Sequence, residues 1–413
     1  MDVVYERCCG VDVHKKTVVA CLIVPGPSGR PSKEIRTFGT MTEELLQLVD
    51  WVTAAGCTHL AMESTGSYWK PVWNLLEGGD LQLLLVNAAH VKAVPGRKTD
   101  VRDSEWLADL LRHGLLRGSF VPDRPQRELR ELTRCRTALV RERNSEVNRL
   151  QKVLEGANIK LAAVATNVMG KSGREILAEL VDGSTDPLAL AQLAKGKLRG
   201  KIPQLERALA GRFGPHQRFL IGQQLAHIDS LEETIERVSA EIAERLRPFA
   251  EEIGRLDTIP GIDRRGAETL VAEIGADLGR FPSADHLAAW AGMVPGNDES
   301  AGKRRSGKTR KGDPWLRAFL VQAAHAAGRT KATYLGAQYR RLAARRGRKR
   351  AAVAVGHSIL VIAYHLLTRK IDDQDLGPHY FDERDREGVK RRLVRRLEDL
   401  GYEVTVAPCA VAA

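Results

Sequence analysis

Asp12 interrupts ERCCGVDVHKKTVVACLIV, a run that is otherwise apolar and β-branched. Val11, Val13, Val18, Val19, Leu22 and Ile23 suit the core of a sheet. A carboxylate among them costs free energy unless a cation meets it. Glu63 ends a second short apolar segment, CTHLAMESTG. Asp100 and Asp103 stand three apart in GRKTDVRDSEWLADLLRHG, a spacing that puts both on one helix face. Hard oxygen donors from separate elements are what Mg²⁺ (or Mn²⁺) takes, with waters and phosphate oxygens completing its octahedron. Two such ions roughly 3.5–4 Å apart can clamp a phosphodiester. Taken singly, an Asp such as Asp100 at a helix start is more often a cap or a dipole partner. Asp12, inside its apolar strand, is harder to explain that way.

A second constellation lies far along the chain, in NDESAGKRRSGKTRKGDPWLRAFLVQAAHAA. Ser300, Gly302 and Gly307 stand among Lys303, Arg304, Arg305, Lys308, Arg310 and Lys311. Glycines let backbone come close to a ligand, and the cations can neutralise phosphate. A serine hydroxyl is a poor nucleophile unless it is activated and the developing charge is stabilised. Most loop serines are surface hydroxyls. Further on, Arg340, Arg341, Arg345, Arg346, Arg348, Lys349 and Arg350 form a basic run with no acid nearby in the sequence. That points to a nucleic-acid contact rather than a solvated helix face.

The elements that must position these residues follow from periodicity. Residues 1–125 alternate strands with helices. MTEELLQLVDWVTAAG carries Leu45, Leu48, Val49 and Val52 at helical spacing, SYWKPVWNLLEGG reads as a second helix, and DLQLLLVNAAHVKAV as another strand. Such alternation predicts an α/β domain with a central sheet. Residues 126–254 place Leu129, Leu132, Leu139, Val140, Val147, Leu150 and Leu154, and later Leu225, Ile228, Leu231, Ile235, Val238 and Ile242, at near-heptad spacing. Two long helices of that kind should pair as a coiled coil, within the chain or across a dimer. The glycine-rich segment between them reads as a bundle tip. Residues 255–370 predict a mainly helical domain. It opens on a Pro260-Gly261 turn of helix-hairpin-helix character, which would aim backbone N–H groups at a phosphate. His357 and His365 lie on an apolar helix and read as core histidines. Residues 371–413 read as a peripheral tail.

The chain has 413 residues and a formal charge of +12, which favours a polyanionic partner. The N-terminus shows no apolar signal region, and no run reaches the ~18 apolar residues of a membrane span. The expectation is a cytoplasmic protein of bacterial type, nucleoid-associated when active, with no membrane partner. Cys8, Cys9, Cys21, Cys57, Cys135 and Cys409 form no zinc-like spacing and read as reduced core thiols.

GVDVHK, MESTG and KTDVRDSEWLADLL, followed in order by IPGI, AGMVP, ESAGKRR, TRKGD and WLRAFLVQAA, resemble the DEDD-type insertion-sequence transposases. These are bridge-RNA-guided serine recombinases with a RuvC-like first domain. The resemblance implies an RNase H-like (RuvC-like) α/β fold for the N-terminal domain, a helical coiled-coil spacer and a mainly α-helical C-terminal transposase domain. It assigns the four metal-binding acids to Asp12, Glu63, Asp100 and Asp103 and the nucleophile to Ser300. It further implies double-stranded DNA and a structured guide RNA as partners, and a homodimer or homotetramer. Lys303, Arg304, Arg305, Lys308, Arg310, Lys311, Arg345, Arg346 and Arg348 become candidate nucleic-acid contacts. Two departures stand out. Ser104 replaces the usual alanine after the last acid. Ser300-Ala301-Gly302 replaces a common Ser-Ser-Gly, which leaves Ser306 as the fallback nucleophile. Two alternatives remain open: a metal-dependent structure-specific endonuclease using water, and a non-catalytic nucleic-acid scaffold.

Overall fold

The structure, a computed structural model, describes residues 2–26, 30–64, 66–87, 103–296 and 298–407. The side chains of residues 298–300, 304 and 305 lie outside that description. The chain divides into two compact units, Met1–Asp123 and Arg124–Ala413.

The first unit is built on a mixed sheet. Its strands are β1 (Cys8–Val13), β2 (Thr17–Pro25), β3 (Pro31–Gly39), β4 (His59–Glu63), β5 (Gln82–Val86) and β6 (Gly118–Ser119), in the order β3-β2-β1-β4-β5-β6. β1 pairs antiparallel with β2 and parallel with β4, and β4 pairs parallel with β5. Side chains alternate across the sheet, so β1 has two different faces. Cys9, Val11 and Val13 pack toward α1 (Thr42–Ala54) and α2 (Trp69–Leu76), through Leu45, Leu48, Val52, Val72 and Trp73. Cys8 on the opposite face packs with Leu107, Ala108, Leu110 and Leu111 of α3 (Asp103–Arg112). The β-branched run around Asp12 therefore forms a central strand covered on both sides.

In the second unit α4 (Arg124–Gly156) and α9 (Pro215–Arg245) pair within the chain. Glu128 meets Arg245 and Arg143 meets Glu232, so the helices run antiparallel. At ~1.5 Å rise per residue α4 is about 50 Å long. The α9 stripe is buried as its spacing predicts, through Ile228, Leu231, Ile235 and Ile242. The α4 stripe differs in its middle. Leu139 and Val140 are only half-buried, while Thr133, Arg136 and Glu146 are buried. For Arg136 the reason is a set of ion pairs at the base of the hairpin, while Glu146 pairs with Arg149 of the same helix. Arg136 donates to Glu268 at 2.6 Å, both side chains being buried. Arg134 binds Glu273 in a fork at 2.8 and 2.7 Å and also reaches Asp313 at 2.7 Å. Burial pushes the Glu273 carboxyl up, and Arg134 pulls it back.

Between the two long helices, α5 (Leu161–Val164), α6 (Lys171–Asp182), α7 (Pro187–Gln192) and α8 (Ile202–Leu209) enclose a core of their own. Ile176, Leu177, Leu180, Leu190 and Leu205 pack there against Leu150, Leu154, Ile221 and Ile228. The segment expected to be a simple tip is thus a small folded body. The chain continues through α10 (Ala250–Asp257), α11 (Arg264–Ile274), α12 (Ala284–Trp290), hairpin β7 (Asp298–Ser300) and β8 (Lys303–Ser306), α13 (Pro314–Arg329), α14 (Tyr334–Arg346) and α15 (Arg348–Arg369). Among the described residues α15 is one helix long and apolar enough to cross a membrane by length and composition. Val355, Ile359, Leu360, Ala363 and Leu366 on one face belong to the core of this unit, which accounts for its apolarity. The tail adds α16 (Tyr380–Arg384) and α17 (Arg386–Glu398), neither with a buried residue.

Candidate active site

Val11 and Met62 are the last paired step between β1 and β4, and Asp12 and Glu63 are the next residue on each strand. Neighbouring strands lie about 4.8 Å apart, and equivalent residues of a parallel pair point to the same face. That face is the one covered by α3. Gly10, two residues before Asp12, lies directly under the backbone of Ser104 and Ala108. Asp103 opens α3 beside that contact. Three of the four predicted acids are therefore carried on one side of the sheet, at the C-terminal ends of β1 and β4 and the first turn of α3. Asp100, the fourth, lies outside the described residues.

The Asp12 side chain is 15% exposed, and its Oδ2 stands 3.1 Å from His14 Nε2. Sequence reasoning passed over His14. Its signal was the two-residue spacing from Asp12, which brings both side chains to one edge of the strand. Among the described residues neither Asp12 nor Glu63 pairs with a lysine or arginine, and no three His, Cys, Asp or Glu side chains form a group that could hold a metal ion. In kind the donors fit a hard divalent cation, since each is a carboxylate and the buried strand supplies no other positive charge. Ser104 is 1% exposed and its hydroxyl has no hydrogen-bond partner among the described residues, so the position behaves as the alanine it replaces.

Ser300 ends β7, and its Cα partner across the hairpin is Lys303. Ala301 and Gly302 form the two-residue turn between them, with φ of 51° and 73°. Positive φ at both positions is the pattern of a type I′ turn, whose twist matches that of the flanking strands. A Cβ on Gly302 would meet open space, so its value here is the backbone angle alone. The hairpin base is fastened by Gly296 N donating to Lys308 O at 2.7 Å and by the Pro295–Thr309 bridge. Ser306, the fallback, stands at the far end of β8, where its Oγ accepts from Lys308 N at 3.2 Å.

Lys303, Lys308, Arg310, Lys311, Arg345, Arg346 and Arg348 are all exposed. Arg304 and Arg305 lie on β8, with side chains outside the description. Lys308 and Arg346 line one open cleft of about 1200 Å³, together with His357, which faces this space instead of the core. One member of the basic run is balanced after all. Arg341 lies 3.6 Å from Asp382 of the tail, a partner remote in sequence.

The Pro260-Gly261 turn joins α10 to α11 as expected, but two features show what occupies it. A Cβ on Gly261 (φ 94°) would stand 2.6 Å from Ala323 O and Ala327 N, so the turn is packed on α13. The N-terminus of α11 is capped by Asp263, whose carboxylate accepts from Gly266 N at 2.8 Å. The thiols match expectation in part. Cys8, Cys9 and Cys21 are buried and free, Cys57 is half-buried, Cys135 is exposed, and Cys409 lies outside the described residues. Burial pushes the Cys8 and Cys21 thiols up to about 12 and Cys57 up to about 11.

Comparison with known proteins bears on both constellations. A DEDD-type family model described as "Transposase" matches residues 9–159, and one described as "Transposase IS116/IS110/IS902 family" matches residues 254–340. The first spans Asp12, Glu63, Asp100 and Asp103, and the second spans Ser300 and the loop cations Lys303 to Lys311 and ends at Arg340, the first residue of the basic run. A protein of Pseudomonas aeruginosa named "Probable family 20 transposase" is 27% identical over 75% of this chain and 84% of its own length. The transposase for insertion sequence element IS1111A of Coxiella burnetii is 26% identical over 87% of this chain and 89% of its own. With both halves matched in order, the chain belongs to the IS110-type family of insertion-sequence transposases.

Proposed function

We propose that this transposase is an RNA-guided serine recombinase, whose acids hold a divalent metal and whose Ser300 attacks DNA. The observation that carries the acid half is the placement of Asp12 and Glu63 on neighbouring parallel strands, on the face where Asp103 opens α3. The mixed sheet order β3-β2-β1-β4-β5-β6 supports an RNase H-like reading of the first unit. Asp12, Glu63, Asp100 and Asp103 would hold Mg²⁺ or Mn²⁺. The ion would supply Lewis-acid stabilisation of phosphate charge.

The chain's own residues do the rest. Ser300 Oγ forms a bond to the phosphorus of one phosphodiester. The bond to the leaving deoxyribose oxygen breaks, that oxygen takes a proton, and one DNA end stays joined as a phosphoserine ester. Attack by a hydroxyl end of the exchanged strand reverses the step and frees the serine, so no external energy source is needed. Residues 1–125 act as the metal-binding domain, 126–254 as spacer, 255–370 as the serine-bearing domain, and 371–413 as a tail. A homodimer or homotetramer on double-stranded DNA, with a structured guide RNA specifying the target by base pairing, completes the assembly. Lys303, Arg304, Arg305, Lys308, Arg310, Lys311, Arg345, Arg346 and Arg348 contact the nucleic acid. The type I′ turn supports Ser300 over Ser306, because it ends a strand at an exposed, glycine-lined tip.

The test is a covalent-adduct assay with protein, Mg²⁺, labelled element-end DNA and RNA from the element's flanking non-coding region. A slow-migrating band on a denaturing gel is expected for wild type and for Ser306→Ala. It is expected to vanish in Ser300→Ala and Asp12→Asn. Cleavage without an adduct, unaffected by Ser300→Ala, would identify a water-using nuclease instead. Cleavage that is indifferent to Asp12→Asn would remove the acids from the chemistry.

A further inference from the structure

We infer that the cleft between the base of the β7–β8 hairpin and the start of α15 is a phosphodiester-backbone seat, formed by Lys308, Arg317, Arg346, Lys349 and Arg350. The inference rests on the transposase reading and gives it a specific place to hold a strand. The five cations come from four elements: the loop after β8, α13, the end of α14 and the start of α15. Among the described side chains no carboxylate lines the cleft, and none of the five cations forms an ion pair with a described residue. Bringing five positive charges to one concave surface is unfavourable by itself, and a run of phosphates removes that cost.

The geometry of α15 adds a second reason. This 22-residue helix starts at Gly347 with no side-chain cap and no acid in its first turn, which instead carries Arg348, Lys349 and Arg350. Cations at the positive end of a helix dipole oppose it, whereas an anion there would satisfy both the dipole and the exposed N–H groups. By contrast α11 and α13 carry their own aspartate caps, Asp263 and Asp313.

Arg317 ties the cleft to the serine hairpin. Its Nη1 donates to Thr309 Oγ1 at 2.5 Å and to Gly292 O at 3.3 Å, holding the hairpin base in place. Ser300 is the last of the three residues of β7, at the turn end of the same hairpin.

The test measures binding of the full chain to a fluorescent element-end DNA duplex, and separately to the flanking non-coding RNA, over a range of salt. The double variant Lys349→Gln/Arg350→Gln is compared with Arg391→Gln/Arg395→Gln, which removes the same charge from exposed α17. The cleft variant should lower the slope of log Kd against log salt by about 2, since each phosphate contact contributes about 0.9. The α17 variant should leave the slope unchanged. The polyanion whose slope falls, DNA or RNA, is the one seated there. An unchanged slope for the cleft variant, or an equal fall for the α17 variant, overturns the cleft assignment while leaving the transposase reading intact. Failure of the wild-type chain to bind either polyanion would remove both.

Discussion

Gly10 of β1 and Ala108 of α3 touch backbone to backbone: a Cβ on Gly10 would stand 2.3 Å from Ala108 N and 2.3 Å from Ser104 O. This contact sets how close α3 comes to the strand that carries Asp12. Gly10→Ala must therefore push the helix outward. Overpacking of this kind costs about 1–3 kcal/mol. The expected result is a lower urea midpoint and a loss of DNA cleavage larger than the stability change explains, because Asp103 moves away from Asp12 and Glu63. A Gly10→Ala protein with wild-type midpoint and cleavage would show that the spacing does not matter.

Ala301 occupies a left-handed turn position at φ 51°, where asparagine or glycine is at ease and alanine is not. Ala301→Asn creates an Asn-Gly turn and should stabilise the hairpin by about 1 kcal/mol. Amide hydrogen exchange at residues 300–303 is expected to slow roughly fivefold, since 1.4 kcal/mol corresponds to tenfold. Faster exchange would contradict the I′ assignment.

Arg134 holds Glu273, whose side chain is 1% exposed, in a two-pronged grip, and also reaches Asp313, the cap of α13. Arg134→Ala leaves the buried carboxylate with Arg130 alone, 3.5 Å away, and should cost up to about 3–5 kcal/mol. Arg134→Met combined with Glu273→Leu removes both charges of the fork, though it takes the carboxylate from Arg130 as well, and should cost less than the sum of the single changes. Urea unfolding of the four proteins decides this, and additive losses would argue against coupling.

The buried thiols give the first unit a definite response to alkali. An unfolded cysteine ionises near pH ~8.5, whereas Cys8 and Cys21 are held up to about 12 by burial. Between those values the unfolded chain binds fewer protons than the folded one. The stability contributed by the protonated thiols is therefore full below pH ~8.5 and is lost as pH rises toward 12. The urea midpoint should fall between about pH 8 and about pH 10, and Cys21→Val should flatten that dependence. In the native protein a thiol reagent at neutral pH should modify the exposed Cys135 before Cys57, with Cys8, Cys9 and Cys21 reacting only on unfolding.

Much of the candidate site is legible in the amino-acid sequence. A lone acid in a β-branched run, an acid closing a short apolar strand, and a serine between glycines and cations are local patterns. Local patterns report which element a residue sits on. Asp12, Glu63 and Asp103 indeed lie on a strand, a strand end and a helix start. The α9 stripe was equally legible, because an apolar face at helical spacing has few ways to be buried.

What tertiary structure alone decided are the relations between elements distant in sequence. Residue spacing could not reveal that β1 and β4 pair in parallel with Asp12 and Glu63 as neighbours, or that Gly10 is the gap into which α3 settles. The middle of α4 departs from its apolar spacing for the same reason. Its inward face is set by Glu268 and Glu273, more than a hundred residues away, which draw Arg136 and Arg134 inward and leave Leu139 and Val140 half-buried. The cleft likewise joins Lys308, Arg317 and Lys349 from separate elements. Sequence fixes each side chain's chemistry and its local periodicity; the packing of one element's face against another chooses which charges meet.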